Sequence, residues 1–253
     1  MKEQVHQIAT ALAKGDRILL VTGAGLSADS GLPTYRGIGG LYNGLTPDGM
    51  PIQKAVSRSM LRDNPALCWK YMAEIARACL GGSPNGAHLA MAALQQRKPH
   101  CWVVTQNVDG YHQAAGSPKD RVIEIHGGLD PLFCGSCRAL DHRLAEHLAG
   151  EFPPLCRECG GVLRPPMVLF EERLPDEALG TLYDEMCKGF DVVIGVGTSA
   201  SFPYIIEPFH RARQAGGFTA EINPNATGLS RIVDVRLRAR AAEVMQTIVG
   251  LAG

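Results

Sequence analysis

Neither sign of charge prevails in this sequence. Lys and Arg together number 25, as do Asp and Glu, for a net charge of +0. A chain that grips a nucleic-acid backbone needs a basic surface, and no long basic run or acidic tail supplies one locally. Nucleic acid is therefore not expected as a partner. No apolar run approaches the length of a membrane span, so no membrane association is expected. The opening MKEQVHQIATALAKGD is too polar for the core of a signal peptide, and the expected location is the cytoplasm. Internal repeats and low-complexity segments are also missing. What is present is a 253-residue chain, 45% hydrophobic, enough for one sizeable core and a small second unit. Its eight cysteines, in a reducing compartment, point to metal or buried thiols in preference to disulfides.

Apolar residues recur at helical spacing from Val5 to Ala13, with Gly15 as a stop. Asn64-Pro65 reads as an N-cap followed by Pro at the first helical position, opening a helix that ends at Gly81-Gly82. AHLAMAALQQRK and AAEVMQTIVGLA read as further helices. RILLVT, CWVVT, RVIEI, DVVIGVG and FTAEI read as strands. Strands alternating with helices predict an α/β fold with a parallel sheet covered on both faces. Four of the strands end in small or polar residues, at Thr22-Gly23, Thr105-Gln106, Gly197-Thr198 and Asn223. In such sheets ligands bind beyond the carboxyl ends of the strands.

Three features carry chemistry. Gly23-x-Gly25-x-x-Ala28 after a strand fits a dinucleotide-binding loop, and fits an ordinary strand-to-helix turn as well. The acidic residue expected about 20 residues further on is not evident, which disfavours a hydride-transfer enzyme. Cys134-x-x-Cys137 and Cys156-x-x-Cys159 have zinc-ribbon spacing, and four thiolates would close the metal's shell and make it structural. Cys68, Cys79, Cys101 and Cys187 sit in apolar contexts and are expected to be buried. His126 ends a strand on the ligand side, where a general base could act or a backbone bond could simply satisfy it. His112 and His88 are expected to be structural.

Assembled in order, GAGLSADSGLPTYRG, TQNVDGYHQAAG, EIHGGL, the two CxxC pairs, GTS and INP make the chain resemble the sirtuins, NAD-dependent protein lysine deacylases. The resemblance implies a doubly wound, Rossmann-like domain (1–37, 89–126 and 166–253). It also implies a small domain made of a helical insertion (38–88) and a four-cysteine zinc ribbon (127–165). NAD would be the co-substrate and zinc structural. Gly23, Ala24, Gly25, Ser27, Ala28, Thr34, Tyr35 and Arg36 would form the loop over the phosphates and nicotinamide side. Gln106, Asn107 and Asp109 would surround the nicotinamide and its ribose, and His126 would be the general base, with Asn107 also in the reaction. Gly197, Thr198, Ser199, Asn223 and Ala241 would hold the adenosine half. The strand MVLF, Met167, Val168, Leu169 and Phe170, would pair with the backbone of an acyl-lysine protein or peptide.

The chain departs from the family's pattern in places. Thr34-Tyr35 stands where many relatives have Asp-Phe, Glu171 where Gly is usual, and Tyr111 where Leu is usual. The GTS-to-Pro segment is one residue short. Relatives that remove acidic acyl groups carry Tyr-x-x-Arg, which is lacking here; Met72 and Ile75 align with that pair. A carboxylate in an apolar site needs a paired cation, so acetyl or a longer apolar acyl group is expected. Rival readings are a mono-ADP-ribosyltransferase or NAD hydrolase on the same fold, and a zinc-ribbon module that binds nucleotide without turnover. The oligomeric state is left open, with a monomer compatible.

Overall fold

The computed structural model describes residues 1–34 and 44–253. Among the described residues there are nine strands: β1 (Ile18–Thr22), β2 (Cys101–Thr105), β3 (Val122–Glu124), β4 (Leu132–Cys134), β5 (Leu140–Asp141), β6 (Leu163–Arg164), β7 (Val192–Val196), β8 (Phe218–Ile222) and β9 (Val235–Leu237). The helices are α1 (Lys2–Lys14), α2 (Ala24–Ser27), α3 (Ile52–Ala55), α4 (Arg58–Asp63), α5 (Pro65–Gly81), α6 (Gly86–Arg97), α7 (Tyr111–Ala114), α8 (Leu144–Leu148), α9 (Asp176–Cys187), α10 (Pro203–Gln214) and α11 (Ala241–Leu251).

Six strands form a parallel sheet in the order β3-β2-β1-β7-β8-β9. Strand order reverses between β1 and β7, the crevice where doubly wound sheets bind ligands. The register makes the carboxyl ends level. Thr22 pairs with Thr105 and Val196, and Val196 with Ile222. Gly23, Gln106, Gly197 and Asn223 therefore each lie one residue beyond the same edge.

The central strands are buried on both sides, as their near-continuous apolar runs require. Ile18, Leu20, Val103 and Ile194 face α1, α6 and α11. Leu19, Val21, Val104 and Val193 face the opposite way, against Leu182, Met186, Ile205 and Phe209 of α9 and α10. Gly15 ends α1 as expected, though with an extended backbone. Its lack of a side chain has a packing cause, since a Cβ there would sit 2.8 Å from Val192 Cγ2.

A third apolar cluster joins α3 and α5 to the antiparallel sheet β5-β4-β6. The Asn64 side chain caps α5 by accepting from Leu67 N at 3.1 Å, with Pro65 next. Trp69 is fully buried, stacks on Phe152, and donates its indole N–H to Leu163 O at 2.7 Å. Burying such a ring is worth roughly 2–3 kcal/mol with its polar handle satisfied. It fastens the helical insertion to the cysteine ribbon.

Three expectations need correcting. Cys187 is exposed, because the last turn of α9 turns it away from the core; Cys68, Cys79 and Cys101 are buried. Met167–Phe170 belongs to neither sheet; it is an extended segment with one isolated bridge, Phe170 to Ser57. The strand expected over RVIEI is limited to Val122–Glu124.

Candidate active site

The site is built at the crevice between β1 and β7. The glycine turn after β1 packs directly on the turn after β7, with Gly25 N donating to Gly197 O at 2.8 Å. A Cβ on Gly25 would lie 2.7 Å from Gly197 O, and one on Gly23 2.9 Å from Thr198 Cα. Gly197 has φ +62, and its Cβ would lie 2.2 Å from Leu26 N. These glycines let two backbone turns touch, which places α2 and the GTS turn on one rim.

Beyond β2 the polar cluster folds inward. Gln106 Nε2 donates to Thr22 O (3.1 Å) and Thr198 Oγ1 (2.8 Å), spanning the crevice. Asn107, 6% exposed, donates through Nδ2 to Gly23 O (3.2 Å) and Ser27 Oγ (3.1 Å). Ser27 Oγ in turn donates to Asp109 Oδ2 at 2.7 Å. The chain amide–hydroxyl–carboxylate uses each group in its proper sense. Burial raises the Asp109 carboxyl above the ordinary carboxylate range, and the Ser27 bond opposes that shift. Asn107 and Asp109 line a cleft together with Ala24, Ser27, Leu32, Pro33, Ile75, Ala78, Cys79 and Val108.

His126, just past β3, is fixed by two bonds. Its Nδ1 lies 3.0 Å from Gln106 O, and a carbonyl only accepts, so Nδ1 carries the proton. Its Nε2 is then the bare nitrogen, and it accepts from the Tyr204 hydroxyl at 2.7 Å. Burial lowers the His126 pKa, and the Gln106 carbonyl partly offsets this. The imidazole is neutral at neutral pH, as a base must be.

The remaining sequence candidates fall into two groups. Thr198 and Asn223 join the cluster, Asn223 Nδ2 donating to Thr198 O at 3.0 Å. Ser199 is exposed beside Ser201, and Ala241 is buried at the start of α11. Ala28 sits in a single 3₁₀ turn after α2. Thr34 is half-buried at the edge of the described chain, and Tyr35 and Arg36 lie outside the described residues. His112 is buried with Nε2 3.0 Å from Thr22 Oγ1, and His88 is in the capping box of α6, both structural as expected.

The Met167–Phe170 segment is stretched between the His126 backbone and α3. Val168 N donates to His126 O (2.9 Å), and Phe170 N to Val56 O (3.1 Å). It is clamped from the ribbon side by Arg164, which binds Met167 O (2.6 Å) and both carboxylate oxygens of Glu172 (2.5 and 3.0 Å). Glu172 also accepts from Leu169 N at 2.9 Å. Arg164, Glu172 and Tyr204 were not anticipated from the sequence. The shortened GTS-to-Pro segment was the one available signal for Tyr204.

Cys134, Cys137, Cys156 and Cys159 bring their sulfurs within 4.8 Å of one another. The Cys134–Cys159 and Cys137–Cys156 sulfurs are 3.5 and 3.7 Å apart. Four thiolates about 2.3 Å from a tetrahedral zinc stand about 3.8 Å from each other, so the donor set fits that ion. The backbone N–H groups of Cys137 and Ser136 point at the Cys134 sulfur and bring its thiol down to about 6.

A family model described as the Sir2 family matches residues 23–203. The NAD-dependent protein deacylase 2 of Pseudomonas syringae pv. tomato is 63% identical over 96% of this chain and 98% of its own. Its namesake in Pseudomonas aeruginosa is 62% identical over 97% of this chain and 96% of its own. A crystal structure of a Sir2 homolog–NAD complex superposes with a TM-score of 0.85 at 33% identity, covering 97% of this chain and 93% of that one. With this agreement in sequence and in fold, the chain belongs to the Sir2 family.

Proposed function

We propose that this protein is an NAD-dependent protein lysine deacylase, converting an acyl-lysine, NAD and one water to lysine, nicotinamide and O-acyl-ADP-ribose. The observation that carries this reading is His126, neutral, with its proton fixed on Nδ1 and its Nε2 lone pair at the carboxyl edge of the sheet. NAD suits the residues around it. A carboxamide needs both donors and acceptors, which Asn107, Asp109 and Ser27 supply at the cleft. The apposed Gly25 and Gly197 keep side chains away from the crevice where a dinucleotide backbone would run.

When bound, NAD supplies an electrophilic anomeric carbon from which nicotinamide departs. The protein's part is positional. Gln106, Asn107 and Asp109 would orient the nicotinamide and its ribose, and Gly197, Thr198, Ser199, Asn223 and Ala241 the adenosine half. His126 would take a ribose hydroxyl proton at Nε2. Met167–Phe170, held by Arg164 and Glu172, would align the acyl-lysine peptide through its backbone, an arrangement with little sequence demand. The neutral acyl-lysine can enter an apolar cleft that a free ammonium would find costly. The same roles divide the chain into a nucleotide domain (1–37, 89–126, 166–253) and a small domain (38–88, 127–165). The separate apolar clusters support that division. The four cysteines would hold zinc in a structural role. Among the described residues no helix is long and apolar enough to cross a membrane, which accords with a cytoplasmic enzyme acting on proteins.

Mass spectrometry of an acetyl-lysine peptide incubated with NAD tests this. Deacylated peptide and O-acyl-ADP-ribose should appear in equal amounts, and His126→Ala should abolish both while sparing NAD affinity. Nicotinamide together with an ADP-ribosylated protein, and no deacylated peptide, would establish the transferase reading instead.

A further inference from the structure

The Nε2 atom of His126 is already occupied. A neutral imidazole has one in-plane lone pair, and here it accepts the Tyr204 hydroxyl at 2.7 Å. If His126 is the base, as proposed above, the same lone pair must receive a proton from the sugar. Two donors do not share it. The tyrosine is held in place by more than this bond. Pro203 and Tyr204 form the first turn of α10, immediately after the shortened GTS segment, whose Ala200 takes φ +48. The Tyr204 ring stacks on Phe202 (centroids 5.3 Å, interplanar angle 11°). The imidazole stands nearly perpendicular to both rings, at 82° to Tyr204 and 87° to Phe202. The aromatic pair thus forms a wall that aims one hydroxyl at the bare nitrogen of the base.

We propose that Tyr204 is a positioning residue that caps the His126 lone pair in the ligand-free enzyme and is displaced by the nicotinamide-ribose hydroxyl of NAD. The cap holds the ring in its reactive tautomer and excludes other donors until the co-substrate arrives. Displacement exchanges one neutral hydrogen bond for another. Removing the cap therefore favours NAD by the net value of one such bond, about 3- to 10-fold in affinity. Chemistry takes place after the hydroxyl has moved aside, so kcat is little affected.

Two measurements test this on the full-length protein. In ¹⁵N-histidine NMR of the ligand-free wild type at pH 8, with His126 assigned by its loss in His126→Ala, Nε2 should be unprotonated and hydrogen-bonded. Its resonance should move on addition of NAD alone and in Tyr204→Phe. In steady-state kinetics, Tyr204→Phe should lower KM for NAD about 3- to 10-fold, leaving kcat within about two-fold and KM for the acyl peptide unchanged. A protonated Nε2, or an Nε2 resonance indifferent to both NAD and Tyr204→Phe, would overturn the cap without reference to turnover. A loss of kcat at unchanged KM for NAD would also overturn it, since the hydroxyl would then act during the chemistry. If Tyr204→Phe does not fold, the wild-type NAD titration decides alone. Full activity of His126→Ala would instead refute the role of His126 while leaving the ligand-free contact intact.

Discussion

Acid should loosen this protein through two buried histidines. His88 and His112 are 0% and 1% exposed, with ring centroids 5.2 Å apart between α6 and the end of β1. Burial lowers His88 to about 4 and His112 to about 3, where His88 contributes as a second, smaller cause. Both are neutral in the native state and titrate near their ordinary 6.5 when unfolded. The unfolded chain therefore binds more protons below pH 6.5, and native stability falls as pH falls. For His88 alone, a folded value of about 4 implies a loss of about 2 kcal/mol between pH 7 and 5, and about 3 kcal/mol by pH 4. That is a large fraction of the 5–15 kcal/mol typical of a domain. Protonation would also spoil the α6 capping box, in which His88 Nδ1 accepts from Asn85 N at 3.2 Å. Urea unfolding at pH 7, 6 and 5, comparing wild type with His88→Gln, isolates the effect from the zinc site and from carboxylates, which both proteins share. The variant should start less stable and lose about 2 kcal/mol less over this range. Parallel loss in the two proteins would refute the reasoning.

The two other expectations concern the metal and the acyl group. Chelation of the metal should unfold the cysteine ribbon and abolish deacylation, because Arg164 of β6 is what clamps Met167 O and Glu172, and with them the segment proposed to align the acyl-lysine peptide. Full activity after metal loss verified by elemental analysis would count against that linkage. Acetyl-lysine peptides should be turned over faster than succinyl-lysine peptides by at least about ten-fold, since Ile75, Leu32 and Val108 line the cleft and no cation does so among the described residues. Equal kcat/KM for the two would show a carboxylate partner elsewhere.

Much of this was legible because short-range rules settle it. Asn64-Pro65 starts α5 where capping chemistry puts it, and the strand ends at Thr22, Thr105 and Ile222 become level in a parallel register. The two CxxC pairs converge because each knuckle is local. What sequence left undecided depends on long-range contacts. His112 and His126 both follow strand ends. They differ in what the fold sets against them: a buried Thr22 hydroxyl for one, the Gln106 carbonyl and Tyr204 for the other. Tyr111 is explained only by a partner 32 residues away, Cys79 O, which its hydroxyl meets at 2.7 Å. The apolar run Met167–Phe170 reads as a strand, yet its N–H groups go to His126, Val56 and Glu172.

Glu171 shows how such a departure is accommodated. Its φ of +70 lies in the left-handed region, which costs a non-glycine residue of order 1–3 kcal/mol. A glycine would adopt it freely. The glutamate is anchored by its carboxylate, which accepts from Ser59 N at 3.0 Å and Ser59 Oγ at 3.1 Å, tying the end of the Met167–Phe170 segment to α4. Hydrogen bonds to a charged acceptor are worth about 1.5–3 kcal/mol when buried and less at this exposed position, so they offset part of the strain. The substitution thus exchanges backbone freedom for a fixed attachment. The Met167–Phe170 segment is held at one end by Glu171 to Ser59 and at the other by Arg164 to Met167 O, and His126 O holds Val168 between them. An extended segment outside any sheet needs such side-chain anchors, because it has no ladder of its own to keep it extended.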